Sequence, residues 1–181
     1  MLFSRSSLPL VALTSCISTV VAGPIHSSLS KRGKNVLIGY RYVSEDQAEE
    51  YNTYGRLTAV GSSSTQLGEG AYIYPSLNEF VVPEEYWQCT IFADHDKFRQ
   101  AKKMYIPQTS NTFFSSRRLE RYLSEAMMDA TSTVLFSKID GDPQEHIQMM
   151  LPPYYLERSP KFHGAFGEGD LGISVKCLPK G

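Results

Sequence analysis

The sequence predicts an α+β domain with a mainly antiparallel sheet of about seven short strands and two or three helices. Runs rich in β-branched and aromatic residues recur between Gly, Pro and Asp turns, as expected for short strands. Two stretches have the composition and end signals of helices. The second half is dominated by strands and lacks the regular strand–helix alternation of a doubly wound parallel sheet, which favours the α+β class.

The elements follow from local composition. The first strand, NVLIGYRYV, is followed by a helix that begins after Ser44, a good N-cap, and ends at Gly55. Apolar residues at Leu119, Tyr122 and Leu123 have helical spacing and predict a second helix over 117–130. Strands are predicted at 35–43, 71–74, 86–93, 102–106, 133–139, 147–151 and 173–178.

The N-terminus is typical of a secretory precursor. Residues 1–22 combine Arg5 with an uncharged apolar stretch, and Val20 and Ala22 fit a signal peptidase site before Gly23. The alternative is an N-terminal membrane anchor, although the stretch is short for a bilayer span. Residues 23–32 then form a polar pro-segment that ends in the dibasic pair Lys31-Arg32. These signals predict a secreted, extracellular protein whose single mature domain spans 33–181.

Charge and motifs exclude several function classes. The chain has 18 basic and 19 acidic residues, and removal of Arg5, Lys31 and Arg32 leaves the mature part with a net charge of −4. That balance argues against nucleic-acid binding by phosphate neutralisation and against a polybasic membrane site. The sequence contains no HExxH, CxxC, GxSxG or P-loop pattern, so no metal site is predicted.

The cysteine count predicts one disulfide. Cys16 leaves with the signal peptide, so the mature domain keeps Cys89 and Cys177. An even pair in a secreted protein most simply forms a bridge, with two free thiols as the alternative. Each cysteine lies in a strand-like run, so the bridge would join the last strand to the middle of the fold.

Two segments are candidates for binding chemistry. Arg41 lies in an otherwise apolar first strand and needs a partner: a carboxylate, an anionic ligand such as a phosphate, or solvent. The run QLGEGAYIYP places Gly68 and Gly70 before a strand carrying Tyr72. Such glycines permit close backbone approach, and an aromatic after them can stack on a flat ring. The alternative is a bulged loop before a core strand.

Together these segments resemble the ADP-ribosyltransferase fold found among secreted bacterial toxins and fungal effectors. The shared pattern is a first strand ending in Tyr-Arg, a helix, and a G-x-G-x-Y strand followed by proline. The run EHIQMMLPP resembles the strand of that family that bears its catalytic glutamate. The resemblance spans 36 to about 155. It implies an α+β fold with a mainly antiparallel, strongly bent or split β-sheet, and it implies NAD as the substrate that supplies ADP-ribose.

The resemblance also assigns roles to individual residues. It implies that Arg41 contacts the dinucleotide, that Gly70 belongs to the cofactor-binding loop, and that Tyr72 stacks on nicotinamide. Gln148 stands where the family has its catalytic glutamate, which stabilises an oxocarbenium-like transition state; an amide brings no such charge. Glu145, three residues earlier, is the alternative catalytic carboxylate, and otherwise it is a solvent-facing loop acid.

Three functions therefore remain open at the level of sequence. The first is a secreted, monomeric toxin-like enzyme that transfers ADP-ribose from NAD to a host target. The second is a catalytically inactive virulence effector on the same scaffold, which binds and inhibits an extracellular host protein such as a protease. The amide at Gln148 favours this second function. The third is a structural secreted domain without a partner.

Overall fold

The computed structural model describes residues 34–58, 65–77, 83–156 and 169–179. The predicted signal peptide (1–22) and pro-segment (23–32) lie outside the described residues. In chain order the helices and strands are β1 (Asn35–Val43), α1 (Glu45–Tyr54), β2 (Ala71–Ile73), β3 (Trp87–Asp94), α2 (His95–Gln100), β4 (Lys103–Tyr105), α3 (Ser116–Glu125), β5 (Val134–Lys138), β6 (Ile147–Leu151) and β7 (Ser174–Leu178). Short 3-10 turns follow β4 and β6.

The strands form two sheets. The first sheet has the order β1-β3-β7 and is antiparallel throughout. The second has the order β2-β6-β5-β4 and is mixed, because β4 and β5 run parallel. The described residues thus contain seven strands and three α-helices, which confirms the α+β class and a sheet split in two. The relationship to ADP-ribosyltransferases stays a prediction.

The two sheets meet where β1 crosses the end of β2. Tyr40 and Tyr74 exchange backbone hydrogen bonds of 2.7 and 2.8 Å there. The crossing depends on Gly39, which has φ +149°, since a Cβ atom on it would lie 2.5 Å from the Tyr74 carbonyl oxygen. This junction brings the first strand and the G-x-G-x-Y segment together.

Two hydrophobic clusters lie on opposite faces of the second sheet. The first fills the space between the sheets, where Ile91, Met149 and Leu151 are almost fully buried together with Tyr51 of α1. The second lies between the outer face of the second sheet and α3, which contributes Leu119 and Leu123. The domain is therefore layered as first sheet, second sheet and helix, in accord with the packing rules of α+β folds.

The disulfide and one asparagine secure the last strand. Cys89 and Cys177 lie opposite each other in β3 and β7 and are joined by a disulfide, as predicted. On the outer edge of β7, the Asn52 side chain donates to the Cys177 carbonyl (3.0 Å) and accepts from the Cys177 N–H (2.8 Å). The amide of Asn52 thus takes the place of a neighbouring strand.

One predicted helix is too long, and another helix was not predicted from the sequence. The prediction for 117–130 is too long: α3 ends at Glu125, and Met127 adopts a left-handed conformation with φ 56° and is 89% exposed. Met128 and Ala130 still pack on the second cluster from a loop, which explains the misleading apolar pattern. Helix α2 was missed because it is short and polar; its N-terminus is capped by the Asp94 carboxylate, which accepts from two backbone N–H groups.

Candidate functional site

Arg41 lies on the interior face of the first sheet. It is opposite Cys89 in the β1–β3 register, and strand alternation places it on the same face as Gly39 and Val43, which are both buried. Its neighbours across the strand, Cys89 and Ile91, are fully buried core residues. A guanidinium on this face enters the space between the two sheets, so Arg41 is not an exposed strand arginine.

The guanidinium has fewer partners than its position requires. Nη1 donates to the Tyr72 carbonyl oxygen at 3.1 Å, while Nε is buried and makes no hydrogen bond. Within the described ranges, no carboxylate forms an ion pair with Arg41. A buried donor without a partner costs about 1–3 kcal/mol, and more when the group is charged. The charge of Arg41 is therefore only partly satisfied by its described hydrogen bonds.

Three tyrosines surround this charge. Burial raises the pKa of Tyr51, Tyr72 and Tyr74, and in each case the positive charge of Arg41 pulls the pKa down without overcoming burial. The effect is largest at Tyr72, whose pKa is raised to about 12. All three hydroxyls are therefore neutral near pH 7 and cannot neutralise the guanidinium, and the Tyr51 hydroxyl already donates to the Thr58 carbonyl at 3.3 Å.

Tyr72 is already engaged by the protein. Its hydroxyl accepts from the Leu67 N–H (2.8 Å) and donates to the Gly68 carbonyl (2.9 Å), which closes the loop before β2. Its ring packs on the second hydrophobic cluster, opposite Met150. Arg41 and Tyr72, which the sequence assigned to one site, are thus in contact in the structure. The contact involves the backbone carbonyl of Tyr72 and not its ring.

Gly70 is a packing residue in this arrangement. It is buried with φ +155°, and a Cβ atom on it would lie 2.3 Å from the Leu151 carbonyl oxygen and 2.4 Å from the Met150 sulfur. The absence of a side chain lets the loop approach β6. Any influence of Gly70 on a ligand is therefore indirect, through the position of Tyr72.

Gln148 lies in a buried polar network, away from solvent. Its Nε2 donates to the Ser137 hydroxyl at 3.3 Å, and the residue is 5% exposed. Gln66 completes the network: its Nε2 donates to Ser137 Oγ (3.0 Å) and to the Lys138 carbonyl (2.7 Å), and its Oε1 accepts from the Asp140 N–H (2.8 Å). The amide that replaces the expected glutamate thus belongs to a set of bonds that joins the loop to β5 and β6.

Glu145 lies in the turn before β6 and is exposed. Its backbone is left-handed, with φ 55°, and its carboxylate forms an ion pair of 2.6 Å with Lys138. In this turn the Glu145 N–H donates to the Asp142 carbonyl at 3.1 Å. The turn directs Glu145 to Lys138, and the described contacts do not join it to Arg41 or Tyr72.

Sequence reasoning missed the structural role of Gln66 and Ser137. Gln66 stood in the glycine-containing segment, but its partners lie 71 to 74 positions later in the chain. A single buried glutamine beside Leu-Gly gives no local signal for such bonds. Only the topology, which places the loop beside the end of β5, makes the pairing visible.

The loop before β2 also borders a cavity whose charge is negative, opposite in sign to that of Arg41. Leu67, Gly68 and Glu69 line a space of about 540 Å³ beside α3, where Glu120 and Asp129 are the other charged residues. Three carboxylates with no basic residue among the described lining repel phosphate groups. The electrostatics therefore favour Arg41, and not this cavity, as the place for the anionic part of a ligand.

The chain belongs to a family of unknown function, DUF5910. The family model matches residues 65–181, which are 117 of the 181 residues. The matched range includes Tyr72, Gln148 and both cysteines of the disulfide, and it begins after Arg41. No curated protein matches the chain.

Within the part of the chain that the structure describes, no helix is both long and apolar enough to cross a bilayer. The described residues also contain no group of three or more His, Cys, Asp or Glu side chains placed to hold a metal ion.

Proposed function

We propose that the protein is a secreted effector on an ADP-ribosyltransferase-like scaffold that binds the anionic part of a dinucleotide at Arg41 and acts on an extracellular host protein by binding. The observation that carries the proposal is the buried Arg41 Nε atom without a hydrogen-bond partner. A phosphate oxygen is a suitable acceptor, because guanidinium–phosphate pairs are strong and often bidentate.

Two residues argue for binding without catalysis. Gln148 is bonded to Ser137 inside the protein and carries no charge, so it cannot supply the electrostatic stabilisation that glycosidic cleavage of NAD requires. Glu145 is paired with Lys138 and exposed. Under this proposal NAD, or its ADP-ribose part, is a ligand and not a substrate.

Transfer of ADP-ribose is the second candidate, and one observation favours it. Glu145 is one of few residues other than glycine that hold a positive φ, 55°, and strained backbone is often found at functional sites. If the ion pair with Lys138 opened, this carboxylate could approach a ribose bound near β6. Activity would then depend on Glu145 and not on Gln148.

The binding experiment uses the purified, oxidised protein and titration calorimetry with NAD and with ADP-ribose. We expect saturable binding that falls by about tenfold or more in Arg41→Lys, because lysine keeps the charge but loses the planar donors. The matched control is Arg117→Lys on the exposed surface of α3, which should bind like the wild type. Absence of binding in the wild type would refute the dinucleotide ligand.

Release of nicotinamide separates the two candidates. We expect no release above the uncatalysed rate from the wild type or from Glu145→Gln. Release by the wild type that is abolished in Glu145→Gln, with NAD binding unchanged, would establish cleavage of NAD by Glu145 and reject the binding-only proposal.

The proposed partner is an extracellular host protein, with secreted proteases as the first class to test. Exposed aromatic side chains at Tyr54 (67% exposed), Tyr105 (46%) and Phe114 (56%) are the kind of residues that dominate protein interfaces. The test measures residual activity of secreted serine, cysteine, aspartic and metalloproteases with the oxidised protein in excess. Inhibition of one class, weakened by Phe114→Ser, supports the proposal; unchanged activity of all four classes rejects the protease as partner.

A further inference from the structure

A second concave site lies beside the first half of β1, and Arg41, Gly70, Tyr72, Glu145 and Gln148 do not line it. It has a volume of about 440 Å³ and is bounded by the first half of β1, by α2 and β4, and by Phe136 and Met149 of the second sheet. Ligand sites of proteins typically fall between about 300 and 1,000 Å³, so this groove can hold a small organic molecule.

The floor and one wall of the groove are apolar. Ile38, Phe98 and Phe136 are partly buried and form the margin of the first hydrophobic cluster. Leu37, on the wall formed by β1, is 43% exposed. Hydrocarbon placed against these side chains would bury apolar surface on both partners, at about 25 cal/mol per Å² removed from water.

The rim is basic. Among the described residues, the charged or titratable ones that line the groove are His95, Arg99 and Lys103, and none of them is a carboxylate. Asp96 does not line the groove, but it accepts from His95 Nδ1 at 3.0 Å, so a positive charge on His95 would be partly neutralised. Arg99 is exposed and forms no ion pair with any described carboxylate. The local charge is therefore positive above an apolar floor.

Lys103 is held in place and leaves Arg99 as the main anion-binding group. The Lys103 ammonium donates to the carbonyls of Phe98 and Ala101 at the end of α2 and lies 4.5 Å from the centre of the Phe98 ring. Its donors are thus largely used within the protein, although its charge still acts on the groove. The planar guanidinium of Arg99 can pair with a carboxylate through two parallel hydrogen bonds.

We propose that this groove binds a free carboxylate with an apolar tail, of the fatty-acid type. The tail would lie on Ile38, Phe98 and Phe136, and the carboxylate would pair with Arg99 beside the Lys103 charge. The inference is independent of the dinucleotide proposal, because Arg41 and Tyr72 do not line this groove.

The experiment is calorimetric titration of the oxidised full protein with decanoate, below its micellar concentration, with decanol and hexanoate for comparison. We expect saturable binding of decanoate at one site, with decanol and hexanoate at least about tenfold weaker, because decanol lacks the carboxylate and hexanoate has a shorter apolar tail to bury. Binding of decanol as tight as that of decanoate would overturn the role of the basic rim.

Variants locate the site. We expect Arg99→Gln to weaken decanoate binding by about tenfold. We expect Leu37→Asp, an exposed substitution that puts a like charge beside the carboxylate, to abolish it. Arg121→Gln on α3, outside the groove, is the matched control and should bind normally.

Two outcomes would overturn the proposal outright. One is an equal loss in Arg99→Gln and Arg121→Gln, which would indicate non-specific charge attraction. The other is binding to anionic lipid vesicles without binding of free decanoate, which would assign the groove to a membrane surface. Because a variant could unfold, the shift in melting temperature with decanoate is recorded for each protein, and a folded Arg99→Gln variant should lose that shift.

Discussion

The two buried polar regions beside the second sheet differ in how completely their hydrogen bonds are satisfied. In the network of Gln66, Ser137 and Gln148, the side chains find partners in one another and in the backbone of β5. At the junction of the sheets, the Arg41 guanidinium makes one bond to a carbonyl and leaves Nε without a partner. Both regions are interior, and only the second carries a charge.

The difference separates a structural site from a ligand site. Among the described residues only Arg41 Nε and Thr133 Oγ1 are buried side-chain polar atoms without a partner, and only the arginine is charged. A polar network that is fully satisfied rigidifies its surroundings, whereas a partly satisfied one is costly unless something completes it. We infer that the Gln66 network stabilises the fold and that Arg41 binds an anion.

The largest expected effect comes from the junction itself. Gly39→Ala would place a methyl group 2.5 Å from the Tyr74 carbonyl oxygen and 2.6 Å from Ile73 Cγ2, at φ +149°. Strain and overpacking together should lower the free energy of unfolding by about 3–4 kcal/mol. Gly141→Ala has φ +77° but open space, so it should lose only about 1–2 kcal/mol in the same denaturant titration. Equal losses would mean that the contact does not hold the junction.

The second-largest loss of stability is expected when Gln66, at the centre of the polar network, is replaced. Gln66→Leu leaves the Lys138 carbonyl and the Asp140 N–H without this partner, which should cost about 2–3 kcal/mol of stability. Gln148→Leu removes a single bond of 3.3 Å and should cost about 1 kcal/mol. Urea unfolding of the two variants measures the difference, and a larger loss for Gln148 would contradict the central role of Gln66.

Tyr72 should make stability depend on pH in the alkaline range. The folded protein keeps the Tyr72 proton until its raised pKa of about 12, whereas the unfolded chain loses it near 10. The stabilising contribution is therefore complete below pH 10 and is lost as the pH rises toward 12, by about 2 kcal/mol. Tyr72→Phe should flatten the dependence. Tyrosinate absorbance gives a direct check, since wild type and Tyr72→Phe should differ only above pH 11.

Replacement of Arg41 by an apolar residue of similar length should not lower stability and could raise it, unlike the replacements above. Arg41→Met removes a buried charge that lacks an anion, so stability should be unchanged or higher by about 1 kcal/mol, while dinucleotide binding is lost. Thermal unfolding and ligand titration are measured on the same sample. A loss of more than about 3 kcal/mol would show that Arg41 is needed for the fold, as is seen when one partner of a buried pair is removed.

The smallest effect is expected at the exposed turn. Glu145→Gln breaks a surface ion pair with Lys138, which should change stability by less than about 1 kcal/mol. Added salt should reduce the difference from the wild type further. A large and salt-independent loss would indicate that the left-handed turn at Glu145 depends on its carboxylate.

The sequence predicted the fold where local signals agree with tertiary contacts. The strand over 35–43 and the strand over 147–151 were placed correctly because each is an apolar run with a clear end, at Ser44 for the first and at Pro152 for the second. Ser44 and Gly55 bound α1 as expected, and Gly55 is left-handed with φ 66°, although the Ser44 side chain makes no capping bond. Prediction failed at Met127, whose neighbours pack on the core from a loop.

The candidate site was only partly visible in the sequence. An arginine in an apolar strand and glycines before Tyr72 indicated the junction, because both are local departures from ordinary strand composition. The buried role of Gln148 and the pairing of Glu145 with Lys138 depend on how β5 and β6 align, with Ser137 opposite Gln148. Alignment between strands is set by contacts along the whole chain, so no short motif could reveal it.

The asparagine at the margin of the first sheet also affects how copies of this protein behave toward one another. An uncovered strand edge offers its backbone groups to any extended chain and is a starting point for fibrils. Asn52 occupies both backbone groups of Cys177, and the Gly55 carbonyl accepts the Val175 N–H, so α1 covers this edge with ordinary side-chain and loop contacts. At high protein concentration, such a cover keeps molecules apart without a bulky or charged residue.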